Sequence, residues 1–208
     1  MTSSSYFFSV AFVVLLLSQL FMAYKTSKIE SPSYKVIKSF EDLEIRNYDA
    51  MVVAKTEIKS EAYEESASSG FRTIANYIFG GNMENQQIAM TSPVIMEMGE
   101  KSSMSFVMPE EHAIENLPEP NFKNVEIIQI QPKTYAVLEF TGYANDKKIK
   151  KHTKRLLQFM KVENLMPIGT IKYLGYNPPW QVLGRKNEVA VEVDLSLIHI
   201  SEPTRQEA

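Results

Sequence analysis

The sequence predicts an α+β fold: one curved antiparallel sheet or barrel built from two pseudo-repeated halves, with two α-helices packed outside. Three observations carry this. Short runs rich in β-branched and aromatic residues, separated by turn residues, recur from Tyr34 onward. Two longer segments carry apolar residues at three- and four-residue spacing. The order of strands and helix in the first half then starts again in the second, at a repeat of about 80 residues.

The first element is unlike the rest. YFFSVAFVVLLLSQLFMA, residues 6–23, holds no charge, and its length suits a bilayer span. About eleven Phe, Val and Leu residues, each worth roughly −0.3 to −0.6 kcal/mol, favour insertion by a few kcal/mol. An uncleaved anchor is the favoured reading over a signal peptide. No Lys or Arg precedes the run, and a cut after Ala23 would put Phe21 where a small residue is required. Lys25 and Lys28 pull the following chain toward the cytoplasm, while an export signal would send it outward, so charge leaves orientation open.

Three strands follow, YKVIKSF, DLEIRNY and AMVVAKTEI. Tyr63, Ala67, Phe71, Ile74, Ala75 and Ile78 then form one helical stripe that stops at Gly80 and Gly81. IAMTSPVIMEM and SMSFVMP read as strands, and the polar, proline-marked stretch 109–121, carrying His112, reads as a loop. VEIIQIQ and TYAVLEF restart the order, a second helix runs from about Asp146 to Val162, and IKYLGYN and NEVAVEVDL close the domain. Neither half can bury its apolar face alone, so the two merge, with the expected cleft between helix and sheet. The alternation ends near Leu195. SLIHISEPTRQEA has no matching period and resembles translated cloning sequence, so it and His199 are set aside. The predicted organisation is an anchor or signal segment with linker over 1–31, a ligand-binding domain over 32–195, and a foreign or disordered tail over 196–208.

Composition excludes several functions. At 208 residues, 44% hydrophobic and 23% charged, the chain can bury one sizeable core. A net charge of −3 gives no basic field for nucleic acid. With no cysteine there is no disulfide, thiolate nucleophile or iron–sulfur site. The sequence holds no nucleophile elbow, phosphate loop or HExxH. Binding rather than catalysis is expected; Glu139, Glu188 and Tyr135 are the acid–base groups an enzyme would use. Glu188 alternates with Val189, Val191 and Val193, on the face opposite that apolar row.

LEIRNY paired with a helix ending in NYIFGGN, then IAMTSPV, then LGYNPPW followed by GRKNEV, resemble the SOUL haem-binding protein family over roughly residues 33–195. The resemblance implies a distorted antiparallel β-barrel of two pseudo-symmetric halves flanked by two helices. It implies binding of haem b or a related tetrapyrrole. The fold is shared with bacterial effector-binding domains that hold other amphipathic small molecules, some of which are thought to hydrolyse their ligands. An apolar segment before such a domain resembles envelope-tethered bacterial members, implying a periplasmic or extracellular domain.

In one family branch an axial histidine is proposed where this chain has Asn47, so no essential axial histidine is expected. In the other, the macrocycle lies in an apolar groove by the first helix, with basic residues meeting its propionates. Those positions hold Ser68, Asn76 and Gln181 here, with Arg72, Arg185 and Lys186 nearby. The ligand residues implied are Phe71, Arg72, Ile74, Ala75, Ile78, Arg185 and Lys186, with Tyr176 and Trp180 as an aromatic rim; packing of the proline turn is the alternative for the rim. No metal ligand set and no catalytic set is assigned.

Hiding roughly 300 Å² of macrocycle carbon would yield about 7 kcal/mol before association costs of at least ~4 kcal/mol. Groove burial alone therefore predicts exchangeable binding. His112 and His152 read as solvated. Met90, Met96, Met98, Met104 and Met108 read as adaptable core filling. Lys147 to Arg155 places six cations in nine residues, either a solvated helix face or a patch for anionic headgroups or ligand carboxylates.

Overall fold

The computed structural model describes residues 3–194 apart from residues 42, 59–61 and 100; the predicted tail lies outside the described residues. Helix α1 (Ser3–Thr26) is apolar on every side. Its segment Tyr6–Thr26 is long and apolar enough to cross a membrane; none of it is fully buried, and only its last turns, at Gln19, Met22 and Thr26, touch the domain. The rest of the chain follows as β1 (Tyr34–Phe40), β2 (Leu43–Tyr48), β3 (Met51–Glu57), α2 (Tyr63–Ile78), β4 (Val94–Met98), β5 (Ser103–Val107), β6 (Glu126–Ile130), β7 (Lys133–Thr141), α3 (Asp146–Val162), β8 (Pro167–Gly175) and β9 (Lys186–Val193).

The described strands form one antiparallel sheet in the order β1-β2-β7-β9-β8-β4-β5-β3-β6, curled into a half-barrel. The two halves are interlocked rather than adjacent. β2, the lead strand of the repeat in the first half, pairs with β7 of the second, Leu43 opposite Leu138. β6 pairs with β3 of the first, Met51 opposite Ile130. β4 and β8 join the halves again, Val94 opposite Gly175. Each half thus completes the other's sheet, which is why neither has a stable edge on its own.

Alternation assigns the two faces. Ala136, Leu138 and Phe140 of β7, Val189, Val191 and Val193 of β9, and Met96, Met104 and Phe106 of β4 and β5 face the helices and fill one core with Ile74, Tyr77, Ile78, Ile149, Leu156 and Met160. Met96, Met104 and Met108 are buried core methionines as expected, whereas Met90 is exposed. In α2, Gly70 allows close approach to the sheet: a Cβ there would sit 2.8 Å from Ile58 Cγ2 and 3.2 Å from Met104 Cβ. The α3 N-terminus is capped by Asn145, whose side chain accepts from the Lys148 amide at 2.8 Å.

Two elements differ from the sequence reading. The strand expected over 88–98 begins only at Val94, because Ile88 donates its amide to Ile78 O and keeps the segment with the end of α2. β8 begins at Pro167, four residues before Ile171, as an exposed extension with a register shift between Ile168 and Lys172 and with Gly169 at φ +72°. An exposed, bulged strand end carries no alternation for the sequence to display.

Candidate functional site

The space between helices and sheet, where a cleft was expected, is filled by the main core. The cavity lies on the opposite, concave face of the half-barrel. It is a narrow groove, partly open to solvent, with room for only about 40 Å³ of water, lined among others by Tyr48, Met51, Ile95, Tyr135, Lys172 and Leu174.

The same alternation that buries one row against the helices aims the other row inward. On β4 it aims Ile95 and Glu97, on β8 Lys172 and Leu174, on β9 Glu188 and Ala190, and on β2 Arg46 and Tyr48, with Tyr176 just past the end of β8 on the same side. Leu174, Ala190, Val137, Tyr48 and Tyr135 form a second, smaller apolar cluster there, with the Tyr48 and Tyr135 rings edge to face at 5.8 Å.

Two charged groups frame this cluster. At one, Glu188 is 0% exposed. Its Oε1 meets Arg46 Nη1 at 2.9 Å and Lys186 Nζ at 3.0 Å, and its Oε2 accepts from Tyr176 OH at 2.6 Å. Burial, then the Glu188 charge, pushes the Tyr176 phenol far above its ordinary value, so it stays a donor. Burial would lower Lys186 and Arg46, yet the Glu188 carboxylate raises both. Arg46 Nε also donates to Glu44 at 2.6 Å.

At the other group, Glu97 accepts from Lys55 at 2.9 Å, from Lys172, and from Ser103 Oγ at 3.0 Å. Burial alone would raise its carboxyl, but the two lysines hold it down at about 2. Burial raises Tyr48 to about 12 and pushes Tyr135 higher.

The residues implied by the resemblance do not converge. Ile74, Ala75 and Ile78 are core residues under α2. Phe71 and Arg72 are exposed on α2, the Phe71 ring packing on Phe106 at 5.3 Å. Tyr176 and Lys186 do meet, on the concave face at Glu188, with Lys186 Nζ 4.5 Å from the Tyr176 ring centre. Arg185 points away into the β8–β9 loop, donating to the carbonyls of Pro178 and Gln181 at 2.7 Å and Asn177 at 3.3 Å. Trp180 stands 61% exposed on that loop.

Neither histidine expected in solvent is there. His152 stacks flat on Phe140 with ring centres 4.3 Å apart. His112 has only 16% of its side chain exposed and lines a second, more polar cavity that shares Pro32 and Met51 with the first. Sequence reasoning missed Arg46, Glu97 and Lys172. The period-two pattern already put Glu97 beside Ile95 and Lys172 beside Leu174, but which face is concave is not written in a strand.

A family model described as SOUL heme-binding protein matches residues 29–192. Among curated relatives, human heme-binding protein 2 is 27% identical over 172 residues, covering 78% of this chain and 80% of its own. Heme-binding protein 1 of Xenopus laevis is 25% identical over 170 residues, covering 78% and 87%. Two solved structures share the fold at low identity. The C-terminal domain of EcmrR has a TM-score of 0.55 at 9% identity, covering 77% of this chain and 98% of that one. A hydrolase from Listeria innocua has a TM-score of 0.53 at 10% identity, covering 76% and 94%.

Proposed function

We propose a function from one premise: the chain belongs to the SOUL heme-binding protein family. Its soluble domain binds haem b or a related tetrapyrrole reversibly in the concave-face cavity, while α1 holds it at a membrane as a carrier or buffer. The resemblance to envelope-tethered members supports a domain outside the cytoplasm.

One observation carries the choice of ligand: an apolar, tyrosine-lined cavity has at its wall a cluster in which two lysines, Lys55 and Lys172, share one carboxylate, Glu97. The cluster has one cation in excess. A planar apolar ligand bearing carboxylates suits it, since a propionate can take up the unbalanced lysine charge through charge-assisted hydrogen bonds. Ile95, Leu174, Ile130 and the prolines Pro32 and Pro93 supply apolar cover, and Tyr48 and Tyr135 supply aromatic faces. Haem would supply an iron centre; the chain's own residues would bind and orient the macrocycle and limit water.

An amphipathic cation, the ligand class of the effector-binding fold, would require an excess of acid at this wall instead. A hydrolase would need an acid–base pair with free valence, and both Glu188 oxygens are already engaged by Arg46, Lys186 and Tyr176.

Titration of the full chain in detergent with hemin, followed at the Soret band, tests the reading. A saturable one-to-one shift that iron-free protoporphyrin competes away is expected. In Lys172→Gln, affinity for protoporphyrin should fall by roughly tenfold, the worth of one charge-assisted bond, while its dimethyl ester should bind unchanged. No Soret shift in the parent chain overturns the haem reading.

A further inference from the structure

The β8–β9 loop is built to expose apolar side chains. The three carbonyls held by Arg185, and the Arg185 guanidinium 4.2 Å from the Tyr143 ring centre, fix its backbone. Yet Trp180, Val182, Leu183 and the neighbouring Tyr143 stay exposed. Ordered backbone with exposed apolar tips marks a surface that meets something.

α1 indicates what that is. Trp180 Nε1 donates to Met22 Sδ at 3.1 Å, the Val182 amide donates to Gln19 Oε1 at 2.8 Å, and Thr26 Oγ1 donates to Gln181 Oε1 at 2.8 Å. The loop therefore lies beside the last turns of the apolar helix, not beyond its end. Gln19 and Met22 precede Thr26 by seven and four residues, or roughly 10 and 6 Å along the axis. With Tyr6–Thr26 across the bilayer, Trp180 and Val182 fall at the headgroup–acyl boundary, the depth that tryptophan favours and that interfacial apolar groups reach. Tyr143 OH donates to Pro179 O at 3.2 Å, so the start of α3, with exposed Lys147, Lys150 and Lys151, is tied to the same end of the domain.

We propose that the β8–β9 loop, through Trp180, Val182 and Leu183, is a second membrane contact that inserts into the lipid interface and fixes the domain's orientation against the bilayer. This rests on α1 being a membrane tether. The domain is then docked rather than swinging on its linker.

Trp180 is the only tryptophan in the sequence and reports directly. The full chain is reconstituted in phosphatidylcholine–phosphatidylglycerol vesicles whose acyl chains are brominated either near the glycerol or near the methyl end. Trp180 should lose roughly half its emission to the shallow bromines, as expected for a side chain seated within ~5–10 Å of the surface. It should also be shielded from aqueous iodide. A Trp180→Phe chain carrying Leu15→Trp reports α1 alone and should be quenched by the deep bromines. If that reporter is quenched while Trp180 stays open to iodide and blind to bromine, the loop contact is overturned and the tether stands. If neither is quenched by lipid, tether and loop contact fall together.

Discussion

Tyr176 donates its phenol hydrogen to Glu188 across 2.6 Å, on the face of the sheet turned away from both helices. The acceptor is fully buried and shares its other oxygen between Arg46 and Lys186. Burial and the adjacent carboxylate hold the phenol protonated, so the bond persists at neutral pH. Tyr176→Phe leaves a buried carboxylate oxygen one donor short and should lower stability by about 1–3 kcal/mol, measured by thermal unfolding in detergent. An unchanged melting temperature would mean that water replaces the phenol.

Arg46 is the larger contributor at the same site, because it is a buried cation on a buried anion. Arg46→Met should cost about 3–5 kcal/mol, the consequence of leaving Glu188 with Lys186 as its remaining cation. Adding Glu188→Leu to Arg46→Met should recover part of that loss. A double-mutant cycle on chemical unfolding reads the coupling, expected at about 0.5–3 kcal/mol.

Glu97 gives the domain an acid limit. Its folded-state carboxyl sits at about 2 against an ordinary 4.5. A depressed carboxyl contributes stability that is complete above the ordinary value and lost as pH falls toward 2. The difference is on the order of 3 kcal/mol. Melting temperature should drop between pH 5 and about 2 in the parent chain. In Glu97→Gln that window should flatten, with lower stability at neutral pH because Lys55 and Lys172 then face each other unneutralised.

The concave cavity and the α2 groove make opposite predictions for ligand binding. Leu174→Trp fills the cavity and should weaken hemin binding at least roughly tenfold, alongside an overpacking cost of about 1–3 kcal/mol. Phe71→Ala and Arg72→Ala, on exposed α2, should leave it unchanged. Soret titrations of the three variants decide between the sites, and a tenfold loss in Arg72→Ala would return the ligand to α2.

Gly70→Ala should destabilise the fold by about 1–3 kcal/mol despite the better helix propensity of alanine. The new methyl would stand 2.8 Å from Ile58 Cγ2. Circular dichroism on heating reads the sign, and a rise in melting temperature would show that Met104 and Ile58 give way.

The sequence by itself determined the elements, because their signals are local. The helical stripe Phe71, Ile74, Ala75 and Ile78 and the alternation around Glu188 are periodicities readable within about ten residues. The repeated order also determined that two halves make one curved sheet. Tertiary structure alone decided that β2 pairs with β7 and β6 with β3, an exchange that no single strand encodes, since pairing depends on partners about 70 to 95 residues away. It also decided which apolar surface remains free. Ile74, Ala75 and Ile78, which the family resemblance implied as ligand residues, are buried under α2. Arg46, Glu97 and Lys172, from three distant strands, share the concave wall because closing the sheet turns their common face inward. A strand's pattern fixes that it has two faces; only the curl of the assembled sheet determines which one becomes the site.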